Sequence, residues 1–395
     1  MVRRRPAIAC FVTPHGLGHA ARAAAVLAAL RERVPRLAIR LFTTAPRWFF
    51  RDSLGPDFSL HRLDVDVGLV QRDPLTEDLP ATVARLSAIY PPRPGLLGRL
   101  ARTLRKTGCR LVLCDISPLG IAAARAAGLP SVLVENFTWD WIYRGCVRRE
   151  PRLAPFASLL TTLTRDADLH LQTVPICRPD PGALPVGPVS RRPWRTRAAT
   201  RAALGVLARR PLVLVTMGGI RHGGFAVAPL SKLPGVEFVL AGGGPTRRRV
   251  GNALILPHRS GFYHPDLVAA ADAVVGKIGY STLAESCRAG VPYGFVPRTG
   301  FRESAVLSRW LLDQGRGLRI DPAAFATGAW VRRVPELLAI GRTRQRFTDG
   351  AREAASLILG RFPLGGRMAF RPPDLTRSSR GGGAQGRAAS VFHLR

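Results

Sequence analysis

The stretch Ala270–Pro297, AADAVVGKIGYSTLAESCRAGVPYGFVP, decides the fold. Ala273 to Gly276 is a short apolar run, Ser281 to Ala289 has helical character, Gly290 stops it, and Pro292 to Val296 is apolar again. That succession spells a strand, a tight turn, a helix and a second, parallel strand. The turn leaves backbone N–H groups free at a helix N-terminus, where the helix dipole favours negative charge. Gly279 lets a ligand come close, Ser281 and Thr282 add hydroxyls, and Lys277 adds a cation, so the turn suits a phosphate. A second reading of the same residues stays open. Thr282 and Glu285 have the spacing of a capping box, in which the carboxylate reaches back to the N-cap amide and no ligand is needed.

The flanking chain repeats this alternation. Pro211 to Thr216 reads as a strand followed by the glycine loop Met217-Gly218-Gly219, with Gly223 and Gly224 beyond it. Val236 to Ala241 and Ala253 to Leu256 are further strands, and Leu318 to Ile320 closes the sheet. Near the start, the apolar run Ala7 to Thr13 leads into Pro14-His15-Gly16-Leu17-Gly18-His19 and an alanine-rich helix to Leu30. Histidine is the side chain best poised to take a proton near neutral pH, which makes His19, then His15, the candidate base. Runs at Leu37 to Thr43, Phe58 to Leu63, Arg110 to Asp115, Ser131 to Glu135 and Leu169 to Thr173 complete a first sheet.

The expected class is therefore α/β, with two Rossmann-like, doubly wound parallel-sheet domains facing a cleft. Ligands of such sheets sit beyond the carboxyl ends of the strands, where Asp115, Glu135 and Asn136 fall. The expected division is an acceptor domain at 1–190, a donor domain at 191–360 and a disordered basic tail at 361–395. The proline-punctuated stretch Val174 to Arg201 is read as the linker, residues 342–359 as a last helix, and Gly68 to Asp78, with Gln71 and Asp73, as a loop lining the cleft.

Composition narrows the partners. At 395 residues the chain exceeds what one core usually serves. Its net charge of +33 invites a polyanion, yet only three lysines occur (Lys106, Lys232, Lys277), so arginine carries the charge along the whole chain. There is no basic region and no C-x-x-C knuckle, and aromatics are only 7%; nucleic acid is not the expected partner. Peripheral contact with an anionic membrane remains open. The six cysteines are no disulfide framework and fit a reducing, cytoplasmic location, at most peripheral on the inner face of the membrane. The basic start is interrupted by Pro6 and Pro14 and reads as a buried strand, and nowhere do eighteen apolar residues follow one another. Asp64-Val65-Asp66 imitates a metal-binding D-x-D but has no third ligand in view, so it is read as a solvated edge, with no metal or cofactor expected.

Three segments carry a resemblance: Pro14 to Arg22 (PHGLGHAAR), Glu135 to Tyr143 (ENFTWDWIY) and Val275 to Glu285 (VGKIGYSTLAE). Together they resemble the amino-terminal glycosyltransferase-like domain of plant arabinokinases and, more distantly, the N-acetylglucosaminyl transferases of peptidoglycan synthesis, from about residue 7 to about residue 360. The resemblance implies a GT-B fold and a metal-independent site for a nucleotide sugar, with UDP the expected carrier, and an acceptor it does not name. It implies that Glu285 holds the ribose diol, that Gly279, Ser281 and Thr282 hold the diphosphate with Lys277 nearby, that Gly218 and Gly219 face the donor, and that Glu303 lies at the donor sugar. His15, Gly16, Gly18, His19, Asp115, Asn136, Trp139 and Asp140 fall on the acceptor side. Two departures stand out. No galactokinase-like half follows, so sugar kinase activity is not expected. Phe301-Arg302-Glu303-Ser304 replaces the His-Gln pair that reads the donor sugar in the peptidoglycan enzymes. The expected activity is an inverting glycosyl transfer; a nucleotide-sugar 2-epimerase and a non-catalytic nucleotide-sugar-binding protein are the alternatives.

Overall fold

A computed structural model describes residues 5–72, 76–207, 209–218, 225–344 and 347–364. Asp73, Gly219, Gly223, Gly224 and residues 365–395 lie outside the described residues.

Among the described residues are two seven-stranded sheets and one two-stranded ribbon. In the first half of the chain come β1 (Ala7–Val12), β2 (Ala38–Phe42), β3 (Ser59–His61), the two-stranded ribbon β4 (Val70–Gln71) and β5 (Glu77–Asp78), then β6 (Cys109–Asp115), β7 (Ser131–Glu135), β8 (Leu169–Thr173) and β9 (Leu184–Val186). The first sheet runs β3-β2-β1-β6-β7-β8-β9 with every neighbour parallel. The second half supplies β10 (Leu212–Thr216), β11 (Glu237–Gly244), β12 (Arg248–Val250), β13 (Ala253–Pro257), β14 (Ala273–Lys277), β15 (Tyr293–Val296) and β16 (Gly317–Arg319). Their order is β12-β13-β11-β10-β14-β15-β16, parallel except for the β12–β13 pair at one edge.

Parallel strands covered on both faces must be apolar along their whole length. Every residue of β1, β10 and β14 is accordingly buried, and separate apolar clusters cover the two faces of each sheet. The alanine-rich helix Leu17–Arg33 lies over the first sheet, and its small side chains let the last helix, Gly350–Arg361, pack beside it through Ala351, Ala354, Ala355 and Ile358. Strand order reverses between β1 and β6 in the first sheet and between β10 and β14 in the second. A crevice opens at such a reversal, so the loops after β1, β6, β10 and β14 are placed where a ligand would sit.

The expected strands and the expected doubly wound architecture are present. Several details differ from the sequence reading. The proline-rich stretch 174–201 contains β9, the edge strand of the first sheet, and begins the helix Arg197–Leu204. Residues 68–78 include the β4–β5 ribbon. Asp66 is fully buried rather than a solvated edge; only Asp64 of that triplet is at the surface. Burial pushes the Asp66 carboxyl up to about 8. Among the described residues no helix is long and apolar enough to cross a membrane, no group of three metal-ligating side chains forms, and all six cysteines are free thiols.

Candidate active site between the two sheets

One cleft is lined by both halves of the chain. On the second sheet, β14 ends at Lys277 and the helix Tyr280–Ala289 begins beyond Gly279, which occupies the N-cap position with no side-chain cap. The first-turn amides therefore point outward without an intrachain acceptor of the capping kind. The capping-box reading is corrected here. Thr282 lies inside the helix, and Glu285 reaches away from the N-terminus: its Oε1 accepts from Arg191 Nε at 3.0 Å, and its Oε2 lies 2.6 Å from His264 Nδ1. Burial alone would raise the Glu285 carboxyl, but Arg191 and His264 outweigh it and hold the group below its ordinary range.

Lys277 is 9% exposed beside this turn. Burial, with the charge of Arg298 adding to it, brings its ammonium down to about 7, against a partial pull from Glu303. Gly276 is a requirement of the fold: a Cβ there would meet the carbonyl oxygen of Thr216 at 1.8 Å, so β10 and β14 approach only because position 276 has no side chain.

Opposite, on the first sheet, His15 and His19 flank the turn into the helix Leu17–Arg33. His19 Nδ1 lies 3.0 Å from Asp115 Oδ1 at the end of β6. Arg22, one turn further along the helix, donates through Nε and Nη2 to the two Asp115 oxygens at 2.8 Å each and through Nη1 to Asn136. Burial would raise the Asp115 carboxyl, but Arg22 and the hydrogen bonds from His19 and Arg22 keep it below its ordinary range and ionised. An ionised carboxylate only accepts, so its contact with Nδ1 outranks the 3.3 Å approach of the Arg22 guanidinium. Nδ1 carries the proton and Nε2 is left free to accept one. His15 is held differently. Its Nδ1 accepts from Leu69 N at 3.4 Å, and burial together with His19, Arg298 and Lys277 pushes it well below the ordinary histidine range.

The two halves touch across the cleft. Ser281 Oγ donates to the Gly18 carbonyl at 2.7 Å, Asn136 Nδ2 donates to Glu303 Oε1 at 2.8 Å, and the Arg22 guanidinium lies 5.2 Å from the centre of the Tyr280 ring. Of the residues singled out in the sequence, His15, Gly16, Gly18, His19, Asn136, Gly218, Lys277, Gly279, Ser281, Thr282, Glu285 and Glu303 line the cleft. Asp115 stands behind His19. Trp139 is buried with its ring edge-on to His15 at 5.1 Å, and Asp140 is buried beneath Thr161, accepting its hydroxyl at 2.9 Å, so neither reaches the cleft. Arg22, Arg191, His264 and Arg298 were assigned no role from sequence. Arg298 had the clearest signal, since it lies just beyond β15 as Gly279 and the start of the next helix lie just beyond β14.

Two doubly wound parallel sheets facing one cleft, each offering a strand-end turn to it, constitute the GT-B fold, which solved glycosyltransferase structures share. No family model matches the chain. It is 28% identical over 358 residues to L-arabinokinase of Arabidopsis thaliana, a match that covers 89% of this chain and 34% of the plant protein. The chain thus spans about a third of that relative. It is also 28% identical over 324 residues to the UDP-N-acetylglucosamine–N-acetylmuramyl-(pentapeptide) pyrophosphoryl-undecaprenol N-acetylglucosamine transferase of Acidothermus cellulolyticus, covering 74% of this chain and 79% of that one. Among solved structures, the glycotransferase of kitacinnamycin superposes with a TM-score of 0.58 at 18% identity, covering 91% of this chain and all of the other. That last likeness is one of fold.

Proposed function

We propose that this protein is an inverting glycosyltransferase that takes a sugar from a nucleoside diphosphate, with uridine as the base, and passes it to an acceptor hydroxyl. The observation that carries the reading is the His19–Asp115 pair facing the uncapped start of the helix Tyr280–Ala289 across one cleft. A base on one wall and an anion-stabilising helix end on the other are what a single displacement needs. His19 Nε2 takes the acceptor proton, the acceptor oxygen attacks the anomeric carbon, and the bond to the diphosphate breaks with its electrons leaving on the phosphate. Asp115 stabilises the imidazolium that forms, and Arg22 keeps Asp115 ionised and aimed. The charge growing on the diphosphate is met by the amides at Ser281 and Thr282 and by Lys277.

Glu285 keeps its implied place at the ribose through Oε2, which has one partner in His264 and can accept a further bond, while Oε1 takes both Nε and Nη2 of Arg191. The division near residue 190 into acceptor and donor halves belongs to this reading, with the last helix returned to the acceptor half. A 2-epimerase gains no support, because it needs acid–base groups flanking a sugar carbon and Asp115 is engaged by His19 and Arg22. The positive charge further supports a cytoplasmic enzyme that works against the anionic inner face of a membrane.

The test is single-turnover transfer by His19→Ala and Asp115→Asn. Loss of the base is expected to lower the transfer rate by about 10²–10⁴-fold with donor affinity unchanged. Asp115→Asn is expected to lower it less and to move its pH dependence. An unchanged rate in His19→Ala would refute the assignment.

A further inference from the structure

Arg298 lies two residues beyond the end of β15, one strand over from the turn that would hold the diphosphate. Its side chain lines the cleft, is 7% exposed, and lies with its guanidinium carbon 4.1 Å from the centre of the Phe301 ring. Its Nε and Nη2 have no hydrogen-bond partner among the described residues. A buried guanidinium is normally paired, because leaving a buried charge without a partner is costly. The acidic groups near it are occupied elsewhere: Glu77 by Arg149 at 2.7 Å, and Glu303 by Asn136 at 2.8 Å. Glu303 faces two basic groups, Lys277 and Arg298, that share this wall of the cleft. Across from them His15 is neutral, its ring stacked on Phe301 at 5.8 Å. Arg298 thus presents two unpartnered N–H groups at the cleft as a planar fork that fits a carboxylate.

Position separates the two cations. Lys277 ends β14 beside the helix N-terminus, where the donor reading puts the diphosphate; Arg298 lies just beyond the neighbouring strand, β15, on the same wall of the cleft. Resting on the donor reading given above, we propose that Arg298 recognises a carboxylate on the transferred sugar, so that the donor is a nucleoside diphosphate hexuronic acid rather than a neutral hexose.

Calorimetric titration of the full chain with UDP, UDP-glucose, UDP-galactose, UDP-glucuronic acid and UDP-galacturonic acid tests this in wild type, Arg298→Met and Arg298→Lys. One uronate is expected to bind about tenfold or more tightly than its neutral counterpart. Arg298→Met should abolish that preference while leaving UDP binding within about threefold of wild type; Arg298→Lys, which keeps the charge without the fork, should retain part of it. The melting temperature of the ligand-free Arg298→Met protein should be no lower than that of wild type, because the substitution removes an unpaired buried charge. Equal binding of neutral and acidic sugars by wild type overturns the proposal. So does an equal loss of UDP itself in Arg298→Met, which would make Arg298 a diphosphate ligand. Failure of UDP and all four sugars to bind overturns the donor reading and this inference with it.

Discussion

Lys277 is the residue at which the cleft's chemistry is most exposed to test. An ordinary lysine holds its proton up to about 10.5, whereas burial brings this one to about 7. Between those values the unfolded chain binds the extra proton and the folded chain does not, so the contribution of Lys277 to stability rises with pH across that window and its penalty is complete below pH 7. Lys277→Met should remove that slope, and between pH 7 and 9 wild type should gain up to about 2 kcal/mol relative to the variant in chemical denaturation. Parallel curves for the two proteins would mean that the ammonium is solvated. Glu285 teaches a different lesson at this scale. Its spacing from Thr282 invited a capping box, but a carboxylate placed between Arg191 and His264 has stronger partners than a helix amide. Spacing along one helix cannot reveal a partner 94 residues away. Glu285→Ala should therefore cost stability by about 3–5 kcal/mol, through the stranded Arg191, whereas Glu285→Gln should retain the fold and isolate any effect on nucleotide binding.

At the scale of elements, the strands and their turns were legible because buried parallel strands write themselves as continuous apolar runs. The runs at Ala7–Val12, Leu212–Thr216 and Ala273–Lys277 needed no partner to be recognised. What could not be read was contact between elements. Strand β9 is three residues long and holds a proline, and it exists only because β8 offers an edge. Gly276 carries the same point as a prediction, since the close approach of the neighbouring strand adds to a positive φ that already favours glycine. Gly276→Ala, at 1.8 Å from the Thr216 carbonyl, should force β10 and β14 apart and cost about 3 kcal/mol in a denaturant titration. A neutral result would mean that the second sheet tolerates a wider spacing than it displays.

At the scale of the whole molecule, the two walls of the cleft are joined by direct contacts: Ser281 to Gly18, Asn136 to Glu303, and the guanidinium of Arg22 against Tyr280. Arg22 links the two walls, because the side chain that aims Asp115 at His19 also rests on Tyr280, the first residue of the helix on the opposite wall. Both histidines and the turn from Gly279 to Thr282 were legible in the sequence as cleft residues. The coupling between them required the fold, since its members come from residues 18 to 303 of one chain. The central claim is that a nucleoside diphosphate binds at the start of the helix Tyr280–Ala289. Thermal unfolding of wild type and Lys277→Met against a panel of nucleoside diphosphates tests it most directly. One nucleotide at about a hundred times its dissociation constant should stabilise wild type by about 2.7 kcal/mol, and the variant by clearly less at the same concentration. No stabilisation by any nucleotide would contradict the account.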